Sequence, residues 1–250
     1  MKKAGLLIII VYTSIFLSAQ AYEIKVKING VSDTLIYLGH HFGEKKYVID
    51  TTTIDSKGNA VFTGDEELNK GIYLIVMPSK NMTYFEILIS DNQNFSIETD
   101  TVDYSKNMKV KGSKENIIFN EYQQKMSEIQ NRRLDLNKEY EAAGENEDEK
   151  KRVTDLMTDL NDERLEYMDK IISQNQGTFF SKILLCLKEV KIPESPKDEN
   201  GEEIDSQFQY KYYKEHYWDF VDFSENGLLR TPIFENKLNY YFEKMVVPMA

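Results

Sequence analysis

The chain has 250 residues, of which 41% are hydrophobic and 29% are charged, and it carries a formal net charge of −11 at pH 7. This length is sufficient for two domains of ordinary size, and the excess of acids disfavours binding to nucleic acid or to anionic membrane surfaces. The single cysteine, Cys186, excludes an internal disulfide and any redox site built from two thiols of this chain.

Residues 1–21 have the pattern of a secretory signal peptide. Lys2 and Lys3 precede an apolar run over residues 6–17, and Ala19-Gln20-Ala21 forms a small-x-small cleavage site. The run is too short to span a bilayer comfortably, and no later segment is apolar enough to do so. We therefore expect a mature protein of the periplasm or cell envelope, without a membrane span, whose charge is −13 because the two lysines are lost.

Residues 22–112 alternate apolar and polar side chains in about eight short runs, as in Ile24-Lys25-Val26-Lys27-Ile28. Period-two alternation predicts strands with one buried face. Turn residues separate the runs, and Asp55-Ser56-Lys57-Gly58-Asn59 is a hairpin signal. With no intervening helices, this pattern predicts an antiparallel β-sandwich or an open barrel.

Near Gly112 the apolar period changes to about 3.6, which predicts an all-α domain over residues 113–250 and an α+β fold class for the chain. Ser113 is the expected N-cap of the first helix, and Asn146 with Glu149 resembles a capping box for the second. A helical hairpin over 113–176 follows from these signals. Further helices are expected at 178–190, 208–220 and 231–247, with an exposed acidic loop at 192–206.

No catalytic motif, phosphate-binding glycine loop or metal-ligand spacing occurs, so we expect no enzyme activity, cofactor or metal on this chain. The adjacent His40 and His41 would point to opposite faces of a strand and are expected to be surface polar residues. Cys186 has leucine and isoleucine neighbours, which favours a buried, unreactive thiol.

The segment 208–223 is dense in aromatic residues and has two interpretations. Amphipathic helix packing accounts for it, and so does a surface that binds a partner or a ligand, because tyrosine and tryptophan combine apolar area with a polar tip. The candidate surface residues are Tyr213, Tyr217, Trp218, Phe220 and Arg230. Arg230 precedes Thr231 and Pro232, which are expected to begin the last helix as its N-cap and first residue.

Two ordered sets of motifs resemble one family. His216-Tyr-Trp-Asp-Phe-Val-Asp-Phe-Ser, Leu229-Arg-Thr-Pro232 and the aromatic run to Phe242 resemble the helical middle domain of secreted Bacteroidota thioredoxin-like (AhpC/TSA, TlpA-type) proteins. Val48-Ile-Asp-Thr51, the segment from Ile54 to Phe62, and Gly71-Ile-Tyr-Leu-Ile-Val76 resemble the β-rich N-terminal domain of unknown function in those proteins. The thioredoxin-like domain itself has no counterpart in this sequence.

The resemblance implies a non-catalytic accessory region that positions a thiol–disulfide oxidoreductase domain or presents partners to it. Its partner would be the missing C-terminal thioredoxin-like domain or another envelope protein, and an uncovered partner surface could also drive self-association. The alternative function is a stand-alone envelope module that binds glycan or peptide through the aromatic segment 208–223.

Overall fold

The structure is a computed structural model that describes residues 20–246. The predicted signal peptide therefore lies almost entirely outside the described residues. The strands are β1 (Tyr22–Asn29), β2 (Thr34–Phe42), β3 (Lys45–Ile54), β4 (Asn59–Gly64), β5 (Gly71–Met77), β6 (Thr83–Ile89), β7 (Asn94–Asp100) and β8 (Lys109–Lys111). The α-helices are α1 (Lys114–Ala142), α2 (Glu147–Gln174), α3 (Phe179–Cys186), α4 (Phe208–His216) and α5 (Pro232–Lys244), and short 3₁₀ helices occur at Pro78–Lys80 and Asn226–Arg230. The α+β prediction is confirmed.

The β-rich region consists of two four-stranded sheets. The first sheet has the order β4-β1-β7-β8 and the second has the order β3-β2-β5-β6. Their inner faces enclose one apolar core, in which Ile24, Ile36 and Ile75 are completely buried. One pairing differs from the expected antiparallel arrangement, because β1 and β7 run parallel, with Ile24 beside Phe95. Strands so far apart in sequence are not joined by a hairpin, so local turn signals do not fix their relative direction.

The turn at Asp55–Asn59 forms, but it does not join two strands of one sheet. β3 belongs to the second sheet and β4 to the first, so the turn carries the chain across the sandwich. Gly58 has a φ of +84°, and the Asp55 carboxylate accepts hydrogen bonds from the backbone N–H groups of Lys57 and Asn59. The hairpin prediction was therefore wrong in its pairing, because turn residues specify a local reversal and not the partner of each strand.

The predicted helical hairpin is confirmed. The Ser113 hydroxyl accepts from the N–H of Asn116 at the start of α1, and the Asn146 side chain accepts from the N–H of Glu149 at the start of α2. The reciprocal half of the capping box is missing, because the Glu149 carboxylate instead binds Arg152. Lys125 and Arg132 of α1 both pair with Glu163 of α2 across the hairpin, at 2.7 and 2.8 Å.

Three helices end earlier than predicted, and the smallest difference is in α5, which ends at Lys244 instead of residue 247. α3 ends at Cys186 instead of residue 190, and α4 ends at His216 instead of residue 220. Apolar spacing continues beyond the end of α4 because Tyr217 and Val221 are still buried after the backbone has left the helix. The acidic loop is confirmed as irregular backbone, with one isolated bridge between Lys197 and Glu203.

The sheet and the helices share a second core. Ile72 and Leu88 lie on the outer face of the second sheet and pack with Phe119, Phe180 and Leu184 of the helices. The change from strand to helix falls where the sequence predicted it, between Lys111 and Lys114. Within the described part of the chain, no helix is long and apolar enough to cross a membrane.

Candidate docking groove

Tyr217 lies inside the packing between α4 and α5. Its side chain is only 4% exposed, and its hydroxyl donates to the backbone carbonyl of Lys237 at 2.8 Å. Its ring meets Trp218 edge-on at 4.9 Å and stacks with Tyr240 at 6.2 Å. Burial raises the pKa of the Tyr217 phenol to about 12. This residue therefore supports the surface from below instead of presenting its ring to solvent.

Trp218 is half-buried and joins several exposed and buried rings. Its indole lies 5.5 Å from the ring of Phe223 and 6.4 Å from that of Phe234. Phe223 is 65% exposed, so this side of the indole lies at the molecular surface. The other two aromatic candidates are also half-buried: Tyr213 packs edge-on against Tyr217, and the ammonium group of Lys188 lies over Phe220.

Arg230 is placed between the helical region and the second sheet. It ends the 3₁₀ helix Asn226–Arg230, and its side chain packs against Gly71 at the start of β5, where no Cβ would fit. The next residue, Thr231, caps α5 by accepting from the N–H of Phe234, and Pro232 occupies the first turn. The predicted start of the last helix is therefore confirmed, and Arg230 serves the contact between the two regions.

A groove that the sequence did not reveal lies between the β2–β3 turn and α5. It has a volume of about 390 Å³ and is lined by Phe42, Gly43, Glu44, Lys45, Tyr47, Leu229, Phe234, Glu235 and Leu238. We call this feature the aromatic groove. Three of its apolar side chains are close to half exposed, namely Phe42 (46%), Tyr47 (45%) and Leu229 (46%).

Phe234 connects the aromatic groove to the predicted candidates. It lines the groove on one side and contacts the rings of Trp218 and Phe223 on the other. None of the five predicted site residues lines the groove directly. No signal within one segment could have located the groove, because its two walls come from the β2–β3 turn and from α5, which are far apart in the sequence.

Acidic groups border the aromatic groove. The Glu235 carboxylate lies against Gly43, whose φ of +61° favours glycine, and Glu44 follows in the turn. Lys45 adds one positive charge to the same border. An apolar floor with charged edges is the usual composition of a protein-binding surface, in which the apolar centre supplies affinity and the charged edge supplies orientation.

The histidine pair does not lie at the surface as predicted. His41 is 7% exposed, and its Nε2 lies 3.1 Å from Oε1 of Glu86, whose Oε2 accepts from Gln123 on α1. His40 is half-buried beside the ring of Tyr73. The surface prediction was wrong for His41 because α1 covers this face of the second sheet. Among residues 20–246, no cluster of three or more His, Cys, Asp or Glu side chains could hold a metal ion.

Cys186 is buried, as the sequence predicted, with 3% of its surface exposed. Burial raises the pKa of its thiol to about 11, and the nearby Lys237 ammonium only partly offsets this effect. The same environment lowers the pKa of Lys237, chiefly by burial. A thiol of this kind is protonated at neutral pH and is a poor nucleophile.

Comparison with known families matches residues 22–119 to DUF4369, a domain of unknown function. The match covers both sheets and the first turns of α1, where Asn116 and Phe119 are buried against the second sheet. No curated protein matches the chain, and no solved structure does. The β-rich region is thus a DUF4369 domain, in agreement with its resemblance to a β-rich domain of unknown function.

Proposed function

We propose that this chain is a non-catalytic accessory region of a secreted thioredoxin-like thiol–disulfide oxidoreductase, and that it positions the redox domain through the aromatic groove. The observation that carries the proposal is the exposure of Phe42, Tyr47 and Leu229 around one groove. The order of motifs in the helical region supports the choice of partner, since it resembles the region that precedes a thioredoxin-like domain. The β-rich region precedes the helical region, as the resemblance implies, and its match to DUF4369 assigns it no activity of its own.

The position of the groove suits a positioning role. The β2–β3 turn supplies one wall, and the segment from Leu229 to Leu238 supplies the other, so a bound partner contacts both regions at once. The shared core beneath, with Ile72, Leu88 and Phe180, holds the two walls together. A partner in this groove would be fixed relative to the whole chain instead of to one mobile element.

The chemistry of Cys186 indicates which part of the full protein carries out thiol–disulfide exchange. Thiol–disulfide exchange needs an accessible thiolate, whereas Cys186 is buried and its pKa is raised to about 11. We therefore assign the reactive thiols to the partner. We assign to this chain the presentation of substrates or the orientation of the redox domain.

Site-specific photo-crosslinking tests the proposal in cells that produce the full protein. A photoreactive phenylalanine analogue replaces Phe42 in one sample, and it replaces Val102 in the control. Val102 is 87% exposed but does not line the aromatic groove, so it reports non-specific encounters. We expect the Phe42 position, and not the Val102 position, to crosslink to a thioredoxin-like domain identified by mass spectrometry.

Two results with the probe at Phe42 would overturn this assignment. One is a Phe42 crosslink to a protein that contains no thioredoxin-like domain, and the other is equal crosslinking from both positions. Including Phe234 as a second groove position guards against a probe that disturbs the β2–β3 turn. Absence of a specific product from both groove positions also contradicts the proposal.

A binding module for glycan or peptide is the second candidate, and the half-buried Trp218 beside the exposed Phe223 favours it. Trp218 is the single tryptophan of the sequence, so its fluorescence reports any contact with this surface. A saturable emission shift with a soluble cell-wall glycan fragment, lost in Phe223→Ala, would support this function. An unchanged spectrum at millimolar fragment would exclude glycan binding at this position.

A further inference from the structure

The outer face of the first sheet is basic, although the chain as a whole is strongly acidic. Lys25 and Lys27 of β1 and Lys109 and Lys111 of β8 line a shallow depression of about 290 Å³. The acids outnumber the basic residues in the sequence, 42 against 31. Around this depression lysines outnumber acids, which is the reverse of the excess of acids in the chain as a whole.

Strand register places the four lysines at the corners of a rectangle. Ser96 of β7 lies beside Lys25 on one side and opposite Lys111 on the other, and Glu98 has the same relation to Lys27 and Lys109. Alternate residues of a strand are about 7 Å apart, and two strand spacings amount to about 9.5 Å. The depression is thus crossed by two parallel rows, each with a lysine at both ends.

The two rows differ in charge. In the second row, the Glu98 carboxylate binds Lys27 at 3.0 Å and also accepts from Asn29. These hydrogen bonds lower the pKa of Glu98, and the charges of Lys27 and Lys109 lower it further, so this row already contains its own anion. In the first row, the middle position is the neutral Ser96 hydroxyl.

The first row therefore has an unbalanced positive charge. Lys25 pairs with Glu23 at 2.8 Å, but both side chains are substantially exposed, which weakens the pair. Lys111 has no carboxylate within ion-pair distance among residues 20–246. Val61 of β4 lies next to Lys25, is 41% exposed and adds an apolar wall to the same depression.

We propose that the row Lys25–Ser96–Lys111 is a binding site for the phosphate monoester group of a phosphorylated ligand. Two ammonium groups on either side of a hydroxyl suit a ligand with two negative charges better than they suit a carboxylate, which has one. Lysine binds phosphate as a point charge. The depression accommodates a phosphate with a sugar-sized group, which would lie against Val61. Glu98 limits the site to one phosphate, because its fixed negative charge repels a second anion one row away.

Titration of the purified chain with glucose 6-phosphate tests the site, followed by amide chemical shifts in NMR spectra at low ionic strength. We expect saturable shifts centred on Ser96 and Lys111. Lys111→Gln should weaken binding about tenfold, since a hydrogen bond to a charged group is lost. Glu98→Gln should strengthen binding severalfold because a repulsive charge is removed. Lys138→Gln is the matched control, since Lys138 is an exposed lysine on α1 that is paired with Asp135.

Two further probes identify the source of the phosphate. Inorganic phosphate tests the bare anion, and vesicles with phosphatidic acid, compared with phosphatidylglycerol vesicles, test a membrane phosphate monoester. Binding of glucose 6-phosphate or of phosphatidic acid that is reduced by Lys111→Gln but not by Lys138→Gln supports the proposal and tells the two sources apart. The proposal is overturned if neither monoester binds, if inorganic phosphate alone binds, or if both lysine variants weaken binding equally.

Discussion

The side-chain amide of Asn116 pairs with both backbone groups of Leu88. Its Oδ1 accepts from the Leu88 N–H at 2.7 Å, and its Nδ2 donates to the Leu88 carbonyl at 2.7 Å. β6 is an edge strand of the second sheet, so Asn116 takes the place that a neighbouring strand would occupy. Because Asn116 also belongs to the first turn of α1, this pairing fixes the helical region to the sheet.

Asn116→Ala should lower the free energy of unfolding by about 2–4 kcal/mol, because two buried backbone groups lose their partner. Urea denaturation followed by circular dichroism measures the change. Asn131→Ala is the matched control on the exposed middle of α1, where the cost should stay within about 0.5 kcal/mol. Equal stability of the two variants would show that water replaces the Asn116 amide without penalty.

The thiol of Cys186 should not react with iodoacetamide in the native chain at pH 8. Its pKa is raised to about 11, and 3% of its surface is exposed, so both the thiolate fraction and the access of the reagent are low. Mass spectrometry after a timed reaction should find the adduct in 6 M urea and not in buffer. Ser56→Cys supplies an exposed thiol as a positive control. Rapid labelling of the native wild-type chain at Cys186 would contradict the buried assignment.

Alkaline pH should destabilise the protein through Tyr217. Its folded-state pKa is about 12, above the ordinary value of 10, so the folded state retains a proton that the unfolded state releases. The contribution of the protonated Tyr217 phenol to the free energy of unfolding is complete below pH 10 and is lost as pH rises towards 12. Tyr217→Phe should cost about 1 kcal/mol at pH 8, where the bond to the Lys237 carbonyl is lost, and this difference should shrink by pH 11.5.

Denaturation of the wild-type protein and of Tyr217→Phe at several pH values measures the difference in their free energies of unfolding. Comparing them removes the contribution of lysines, which titrate in the same range in both proteins. A difference in unfolding free energy that stays constant from pH 8 to pH 11.5 would show that the Tyr217 phenol does not titrate with a raised pKa.

Trp218→Ala should mainly lower the stability of the protein, whereas Phe42→Ser should mainly weaken the docking of a partner in the aromatic groove. Trp218 is half-buried among Tyr217, Phe234 and Tyr241, so its truncation should cost about 2–3 kcal/mol, less than for a fully buried ring. Phe42 is 46% exposed at a turn, and its replacement should change stability by about 0.5 kcal/mol or less while it reduces association with the partner. Thermal unfolding and the crosslinking yield at Phe234 measure the two effects. A large loss of stability in Phe42→Ser would place Phe42 in the fold and not in docking.

Local signals predicted much of the fold. Alternation placed the eight strands, and the short polar side chains of Ser113, Asn146 and Thr231 marked three helix starts because each satisfies a free N–H group nearby. These features depend on residues within a few positions of one another. The same reasoning placed Cys186 in the interior from its apolar neighbours.

Features that depend on distant residues were not predictable. The parallel pairing of β1 with β7 and the burial of His41 arise from contacts between segments that are far apart in the sequence. The aromatic groove is of this kind, since Phe42 and Phe234 meet only after α5 is placed beside the β2–β3 turn. A pattern in one segment shows that an aromatic side chain is present, but not which surface it joins.

Limited proteolysis should cut the chain first in the acidic loop at residues 193–206. This loop has irregular backbone, and its glutamates are exposed, whereas those of α1 and α2 belong to continuous helices. Glu-C protease therefore has many sites but should use Glu194, Glu199, Glu202 and Glu203 before any site within residues 117–140. Mass spectrometry of early time points identifies the first cut.

The boundary between the strands and the helices, at residues 112 and 113, leads to a further prediction about the stability of fragments. Although the secondary structure changes there, Ile72 and Leu88 belong to the core that the sheet shares with the helices. A fragment of residues 22–112 would expose both side chains and would lack Asn116, so we expect it to aggregate or to unfold at much lower urea than the complete chain. Fragment 22–119 restores the Asn116 bonds but not the helical cover, and it should be intermediate in stability. A fragment 22–112 as stable as the whole chain would show that the β-rich region folds independently and that the shared core contributes little to it.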